Sequence, residues 1–440
     1  MQNKIIINLI VANLLWSFIP VIVLGLFNEV SVLMVIFLRF LVSGVILFLL
    51  AILLIFVNNR FTSNKKIPFE VLKIIYTHKN RRFFRLRNIY YFAIMGFFGI
   101  IMQLIWYFMA LKITETIALA MIGFQVSIIL VALYEHGIKS EKLDIFKILY
   151  LLLLVVSIGI IINVKSQEAA LQGTGFSLMG LIYIMFFTLS LVFFQISINR
   201  DIYSKRELKI ANKNQYYKII RLLIKISSTF LIGVIFMFPF LLVFQIIFPI
   251  SDLTTEIVKF FGEFPIMFNI LMRGDIIFLI IFSTILPFLL VFLTSVYWKP
   301  YNLTYSQWNS ILTLIEPIGA LIFGIIFVGE FFPLEFLLVV FFLLIVSILF
   351  RYAHELKNIV NAYILLDNKI GSLKKLPMKL LKFQGVVSVD TSAGTHDLLL
   401  NVKSSSIKDF YYLVNKQIKK LDEVKNVKIL FVNEINKLEI

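Results

Sequence analysis

The chain alternates between long apolar runs and short segments that hold most of its charged residues. A helix needs about 20 apolar residues to cross a hydrocarbon core of about 30 Å. In lipid, a lone apolar segment can satisfy its backbone hydrogen bonds only as a helix, so each run predicts a membrane-spanning helix. The ten runs lie at 5–27, 33–57, 89–111, 116–134, 146–163, 177–198, 226–248, 275–297, 305–328 and 334–350.

The pattern changes after Arg351, where charged and polar residues are interspersed with short apolar segments. Periodicity there predicts the order strand, helix, strand, strand, helix, strand, punctuated by Gly371, Gly385 and Gly394. This βαββαβ order is ferredoxin-like. The predicted fold class is therefore an all-α polytopic membrane protein with a small α+β ferredoxin-like cytosolic domain. The predicted strands are 362–367, 386–391, 397–402 and 427–433, and the predicted helices are 372–383 and 407–421.

The composition supports a membrane protein. Of the 440 residues, 60% are apolar and 15% are charged, whereas about 45–50% of a soluble domain is apolar. The sequence has no cysteine, which excludes disulfides, cysteine-ligated metals and thiol nucleophiles. The first run exceeds a signal-peptide core and has no small-residue cleavage site, so we expect it to remain as an anchor.

The net charge of +17 is concentrated in a few loops and the C-terminal segment. The 58–88 loop carries nine Lys and Arg residues and the 199–225 loop carries eight, and ten spans place both loops on one side. The positive-inside rule makes that side the cytoplasm, with 37 basic residues inside and 4 outside. We therefore expect a plasma-membrane protein with both termini in the cytoplasm and the lipid bilayer as a partner. Nucleic acid is not expected as a partner, because topology already accounts for the charge.

Weak internal similarity relates two halves of the membrane part. The fourth helix of one half aligns with the fourth helix of the other, which brings Gln125 opposite Glu316. Because five is an odd number, two five-helix halves are inverted repeats in the membrane. The predicted domains are a first five-helix repeat at 1–163, a second repeat at 164–351, a linker at 352–360 and a C-terminal domain at 361–440.

Four short motifs resemble the EamA-type drug/metabolite transporter superfamily over about residues 5–350. This resemblance implies a secondary transporter of small metabolites. The sequence departs from the family where Gln125-Val126 replaces a usual proline, where no second-half arginine corresponds to Arg39, and in three longer loops. The motifs are Leu14–Pro20, Phe37–Gly44, Glu141–Leu143 and Glu316–Glu330, and the longer loops are 58–88, 199–225 and 250–274.

The C-terminal segment resembles the ligand-binding (RAM) half of Lrp/AsnC-type regulators. The resemblance lies in Ala362–Gly371, Gln384–Val402 and Asn426–Val432, with Gly394 and Asp397 matching the G-x-x-D turn of the family. It implies a homodimer that binds an amino-acid effector in clefts between subunits. The helix-turn-helix half of those regulators is missing, so a transcription factor is not expected. The expected regulatory-ligand residues are Gly394, His396 and Asp397.

Two ionisable residues within the apolar runs are the leading candidates for the substrate or proton path. Glu316 lies near the middle of its run and precedes Pro317, which frees a backbone carbonyl one turn earlier. It is either a proton or substrate site or a hydrogen-bonded packing group. Arg39 either lies in the substrate path or pairs with an acid such as Glu115, or it forms a structural ion pair, or it snorkels to the outer surface.

Further polar and aromatic side chains are candidates for the cavity lining, with packing as the alternative for each. The four histidines lack the H-E-x-x-H spacing, so no metal site is expected. No Gly-rich phosphate loop or nucleophile elbow occurs, so neither an enzyme nor a cofactor is expected. The candidates for the lining are Gln103, Trp106, Gln125 and Trp16.

The leading hypothesis is a transporter or exporter of a small-molecule substrate, such as an amino acid, regulated by a cytosolic amino-acid-sensing domain. One alternative is a membrane-tethered sensor that does not transport. Another is a flippase for a lipid or a lipid-linked carrier, which the 46 phenylalanines would suit.

Overall fold

The computed structural model is predominantly helical and ends in a small β-sheet domain. Residues outside the described ranges include Glu141–Leu143, Gly371 and Gly394, so the predictions for these residues have no counterpart below. The structure describes residues 2–61, 67–68, 70–79, 86–139, 144–171, 177–198, 204–214, 216–297, 305–357, 360–368, 376–381, 383, 385–392, 395–404 and 407–431.

The membrane part contains eighteen described α-helices, of which α4, α10, α12 and α13 are short segments between the apolar helices. Three π-helical turns interrupt it, at Met95–Ile101, Ile281–Ile285 and Gly324–Val328. The helices are α1 (Gln2–Ser17), α2 (Ile19–Leu26), α3 (Val32–Phe61), α4 (Glu70–Thr77), α5 (Asn88–Ile94), α6 (Met102–Thr114), α7 (Ile117–Lys139), α8 (Ile145–Leu171), α9 (Leu178–Ser197), α10 (Lys205–Lys213), α11 (Tyr216–Ile247), α12 (Asp252–Gly262), α13 (Met267–Leu271), α14 (Gly274–Ile280), α15 (Leu286–Tyr297), α16 (Tyr305–Leu312), α17 (Ile315–Phe323) and α18 (Leu334–Lys357).

The described residues contain nine helical stretches that are long and apolar enough to cross a membrane. They correspond to nine of the ten predicted runs. The run at 305–328 instead forms α16 and α17, separated at Thr313 and Leu314, and the apolar stretch Ile315–Val328 is shorter than the others. Pro317 accounts for the break, because it has no N–H to bond the carbonyl of Thr313. That carbonyl accepts instead from the N–H of Glu316, at 3.3 Å.

Helices before residue 164 pack against helices after it in several pairs. Helix α3 lies against α11, α8 against α18, and α7 against α17. Helix α6 packs on α9, whereas α1 packs on α15. Helix α9 also contacts α7, and α1 also contacts α17. One extended hydrophobic core therefore runs through both halves.

Two helix interruptions meet inside this bundle. The first helix breaks at Phe18, between α1 and α2, and Ser17 at that break faces the break before α17. The Ser17 hydroxyl donates to the carbonyls of Asn13 and Glu316, both at 2.9 Å. Gly319 allows this approach, because a Cβ on it would lie 2.5 Å from the Ser17 Oγ. The backbone around Glu316 is thus anchored to the first helix.

Helix α18 continues through most of the predicted linker at 352–360 and ends at Lys357. The apolar run stops at Phe350, but Arg351 and His354 are buried against the bundle, which extends the helix. The His354 Nδ1 lies 2.7 Å from the Asp144 carboxylate before α8, and the Gln307 amide donates to Glu355 at 2.8 Å.

The C-terminal domain has the predicted strand and helix order. Its four strands form one antiparallel sheet in the order β2-β3-β1-β4, with the two helices against one face. Alternate residues of β1, such as Ile364 and Leu366, are buried beneath Phe410 and Val414 of the second helix. The elements are β1 (Val360–Asn368), α19 (Leu376–Leu380), β2 (Val386–Thr391), β3 (Leu398–Ser404), α20 (Ile407–Tyr412), a π-helical segment (Leu413–Ile418) and β4 (Val424–Phe431).

Candidate functional site

Arg39 on α3 is buried inside the bundle, with 2% of its surface exposed. Its Nη2 donates to the carbonyl of Ser283 at 2.7 Å, and its Nε donates to the hydroxyl of Thr284. The third guanidinium nitrogen, Nη1, has no hydrogen-bond partner among the described residues. Arg39 therefore does not snorkel, and it keeps one buried donor available.

The Ser283 carbonyl is free to accept from Arg39 because of the local sequence. Pro287 follows it by four residues and has no N–H, so the usual helical donor is missing. The π-helical turn Ile281–Ile285 lies at the same point, and such turns often mark functional positions. The sequence analysis missed this Ser-Thr-x-x-Pro pattern, although a polar pair before a proline in an apolar run signals a freed carbonyl.

Glu316 lies at the start of α17, next to the break, and is half-buried. Its carboxylate interacts electrostatically with Arg39, and both groups act on the phenol of the fully buried Tyr107. No direct ion pair joins Arg39 to Glu316 among the described side chains. The structure thus brings the two predicted ionisable groups into one region while leaving them unpaired.

Gln125 is fully buried on α7, the helix that packs against α17. Neither its amide nitrogen nor its amide oxygen has a partner within the described part of the chain. Trp16 is half-buried on α1, and its indole meets the ring of Phe288 edge-on at 5.5 Å. Both side chains therefore lie on helices that surround the break at Glu316.

The remaining predicted residues lie elsewhere or have no direct contact with Arg39. Trp106 stacks on Tyr183, with ring centroids 5.7 Å apart, in an aromatic cluster between α6, α9 and α11. Gln103 is half-buried on α6. Glu115 is exposed just after α6, in a left-handed conformation with φ of 50°. Arg39 donates hydrogen bonds to Ser283 and Thr284 and interacts electrostatically with Glu316, but it does not contact Glu115.

Helix α12, which was not predicted from the sequence, packs against α3 and α11 at one end of the bundle. Glu256 accepts from the backbone N–H of Val32 at 2.7 Å and forms an ion pair with Lys112. Glu263 accepts from the backbone N–H of Ser31 at 2.8 Å and from its hydroxyl at 2.7 Å. The two carboxylates thus satisfy the free N–H groups at the start of α3, the helix of Arg39. Two acids seven residues apart in an amphipathic loop segment are the signal in the sequence.

Glu330 has a similar capping role at the start of α7. Its carboxylate accepts from the backbone N–H groups of Ile117 and Ala118, both at 3.2 Å, and pairs with the buried Lys165 at 3.0 Å. The helices of Arg39 and Gln125 are therefore each capped by acids from the other half of the membrane part.

Two of the three predicted regulatory residues, His396 and Asp397, lie just before β3 and contact the end of β1 in the C-terminal domain. Asp397 accepts from the backbone N–H of Asn368 at 2.8 Å, and His396 is hydrogen-bonded to Asp367 at 2.7 Å. The bond with His396 holds the pKa of the Asp367 carboxyl below its usual value, and Asn426 adds a second hydrogen bond. Gly394 lies outside the described residues. The described residues contain no group of three His, Asp or Glu side chains suited to a metal ion.

Comparisons with known proteins find a family match in the membrane part and another in the C-terminal domain. Residues 3–163 match the EamA-like transporter family, and residues 361–438 match the Lrp/AsnC ligand binding domain. The chain thus joins a segment similar to EamA-like transporters to a domain similar to the Lrp/AsnC ligand binding domain. Both resemblances found in the sequence are confirmed, and the protein is a multi-pass membrane protein. The EamA-like match over residues 3–163 points to a non-enzymatic transporter of a small molecule, and the Lrp/AsnC match points to ligand sensing.

No curated protein matches the chain. A solved structure described only as the crystal structure of a protein aligns with 13% sequence identity and a TM-score of 0.42, over 79% of this chain and 96% of that chain.

Proposed function

We propose that this protein is a secondary transporter that exports a small metabolite by alternating access, and that its C-terminal domain senses an amino acid and adjusts the flux. The observation that carries the proposal is the set of Arg39, Gln125 and Glu316 around a helix break. A buried polar group without a partner costs about 1–3 kcal/mol, so a ligand that supplies partners is the simplest reason to keep this set. The test is flux in proteoliposomes that contain the purified protein.

We infer that the two halves are inverted repeats. Two helix pairs support this, because each has a counterpart in the other half: α6 with α9 corresponds to α15 with α1, and α7 with α9 corresponds to α17 with α1. The bounds support it as well. Phe61 at the end of α3 corresponds to Ile247 at the end of α11, and Asn88 corresponds to Gly274, each displaced by 186 residues. The domain bounds proposed for the repeats remain 1–163 and 164–351, followed by a linker at 352–360 and the sensing domain at 361–440.

We propose that the described state is closed at the outer side. The contacts of α12 with the start of α3 tie the loop between α11 and α14 to the helix of Arg39. Alternating access then requires that α12 releases the Ser31 and Val32 N–H groups when the outer side opens. The bonds of Glu256 and Glu263 set the free energy of that step.

The orientation proposed is a plasma-membrane protein with both termini in the cytoplasm. Reporter fusions near residues 70, 210 and 440 are expected to report the cytoplasm, and fusions near 168 and 260 are expected to report the outside. The physical reason is the concentration of Lys and Arg in the loops at 58–88 and 199–225. A cytoplasmic signal near 260 would contradict both the orientation and the inverted repeats.

The proposed effector is a free amino acid bound between two copies of the C-terminal domain, near Gly394, His396 and Asp397. The sheet face opposite the helices supports pairing with a second copy, because it exposes the neighbouring apolar side chains Tyr363 and Leu430. Sensing then acts as a population shift. An effector that favours one pairing geometry of the C-terminal domains shifts the membrane part towards the access state that is compatible with that geometry.

A thermal-shift screen of the twenty amino acids on the full chain tests this proposal. At least one amino acid is expected to raise the melting temperature, because a ligand stabilises the state that binds it. Leu430→Lys is expected to abolish both dimerisation and the shift, since it places a charge on the pairing face. Met378→Lys, at an exposed position on α19, is the matched control and should retain both. If no amino acid stabilises the parent protein, the domain has no sensing role of this kind.

Flux also separates the two alternatives. A membrane-tethered sensor would bind the amino acid without transporting any solute. A flippase would move a fluorescent lipid between leaflets and leave small water-soluble metabolites behind.

A further inference from the structure

Lys225 on α11 lies at the end of the bundle opposite α12, because α11 runs from Tyr216 towards α12. Its ammonium group donates to the carbonyl of Ile198 at 3.3 Å. It also lies 5.7 Å from the ring centre of Tyr91 and 5.4 Å from that of Phe292. Lys225 and these rings line a cavity of about 20 Å³, which is room for about one water molecule.

An aromatic layer separates this cavity from Arg39. The ring of Phe292 stacks on Phe288 at 6.3 Å, and Phe288 meets Phe230 edge-on at 5.0 Å. Phe230 in turn contacts Phe40 at 4.9 Å, and the Arg39 guanidinium lies 5.3 Å from the centre of the Phe40 ring. A continuous series of aromatic rings therefore joins the two cationic side chains.

Lys225 is also the counterpart of Arg39 in the second half. The displacement of 186 residues that relates the end of α3 to the end of α11 places Lys225 opposite Arg39. In an inverted arrangement, counterparts lie at opposite ends of the bundle. No arginine of the second half corresponds to Arg39, and a lysine occupies the position instead.

We propose that Lys225 forms an inner docking site for the anionic group of the transported substrate, and that the substrate is an organic anion with an apolar or aromatic body. This inference rests on the transport function proposed above and names its substrate class. The ammonium group attracts the anion, while the faces of Tyr91, Phe194 and Phe292 receive the apolar part. In the described state the side chains around Lys225 leave only this small cavity. The aromatic layer blocks passage of the substrate to Arg39 until the cytoplasmic side of the bundle opens.

The test uses the absence of cysteine from the natural sequence. A single cysteine, Ile198→Cys, places one thiol in the lining of the cavity. The thiol is reacted in membrane vesicles of each orientation with two methanethiosulfonate reagents, one that carries a sulfonate and one that carries a trimethylammonium group. Each reaction rate is divided by the rate of the same reagent with free cysteine. Naphthalene-2-carboxylate serves as the competing organic anion.

The thiol is expected to react from the cytoplasmic side, with a preference of about tenfold for the anionic reagent, since a cationic cleft with apolar walls concentrates anions by at least that factor. Lys225→Gln should remove the preference and the protection by naphthalene-2-carboxylate, and Lys225→Arg should restore both. Lys218→Gln, at an exposed position on the same helix, should leave both unchanged.

The proposal is overturned if Lys225→Gln retains the preference, if the competitor still protects that variant, or if the thiol reacts only from the outer side. These rates do not depend on flux. A chain that fails to transport but shows the expected labelling would refute the proposed function and leave the docking site standing, whereas a transporting chain without the preference would refute only the docking site.

Discussion

Replacing Glu316 with glutamine is expected to abolish the pH dependence of flux and to lower flux at least about tenfold. Glutamine retains the shape and hydrogen bonding of the side chain but cannot ionise. The site then loses the ionisable carboxyl that interacts with Arg39 and Tyr107. A tenfold loss corresponds to about 1.4 kcal/mol of interaction between the site and its substrate or proton. The measurement is initial flux in proteoliposomes across a range of pH.

Folding of the Glu316→Gln variant is expected to be unaffected, because Ser17 bonds the backbone carbonyl of Glu316 and not its carboxylate. Size-exclusion chromatography and the melting temperature check this. Glu335→Gln, at an exposed position in the first turn of α18, is the matched control and should keep the flux and pH profile of the parent. Parental flux with an unchanged pH profile in Glu316→Gln would exclude proton coupling at this residue and leave it a packing group.

The apolar runs predicted the membrane helices well because the backbone in lipid has few alternatives. The predicted bounds differ from the structure where the hydrogen bonds of particular residues, and not the length of the apolar run, determine where a helix ends. At 305–328 the run is apolar enough, but Pro317 removes a donor and the helix breaks at Thr313 and Leu314. The apolar run ends at Phe350, but α18 continues to Lys357, because His354 is hydrogen-bonded to Asp144 just before α8. Such a partner is distant in the sequence and cannot be read from a window of residues.

The candidate site was predicted in part for the same reason. Arg39, Glu316 and Gln125 stand out because each is polar inside an apolar run. Ser283 and Thr284 do not, since hydroxyl residues are common in membrane helices and only their position before Pro287 distinguishes them. Glu115 was an example of an acid that could pair with Arg39, whereas the packing of the π-helical turn Ile281–Ile285 on α3 brings Thr284 and Ser283 to the guanidinium.

The capping role of α12 shows a second limit of the sequence. Glu256 and Glu263 lie in an amphipathic connection, and nothing in that segment identifies Ser31 and Val32 as their partners. The free N–H groups at the start of α3 predict that some acceptor is needed. Only the fold identifies which acids supply it.

Replacing Arg39 with lysine is expected to lower flux between about tenfold and a hundredfold, although the charge is retained. The guanidinium uses Nε for Thr284 and Nη2 for Ser283, which leaves Nη1 for a ligand. A lysine ammonium is a single point and cannot reproduce this fixed geometry. The loss of one hydrogen bond to a charged group, about 1.5–3 kcal/mol, corresponds to the expected range.

Arg60→Lys, at the exposed end of the same helix, is the matched control and should transport as the parent does. Thr284→Val removes the bond to Nε while leaving Arg39 in place, so it should lower flux less than Arg39→Lys does. The double variant Arg39→Lys with Glu316→Gln should lose less than the product of the two single losses, because residues that act on one ligand are not independent. Parental flux in Arg39→Lys, or strictly multiplicative losses in the double variant, would place Arg39 outside the substrate path and make its bonds to Ser283 and Thr284 a structural link between α3 and the eighth apolar run.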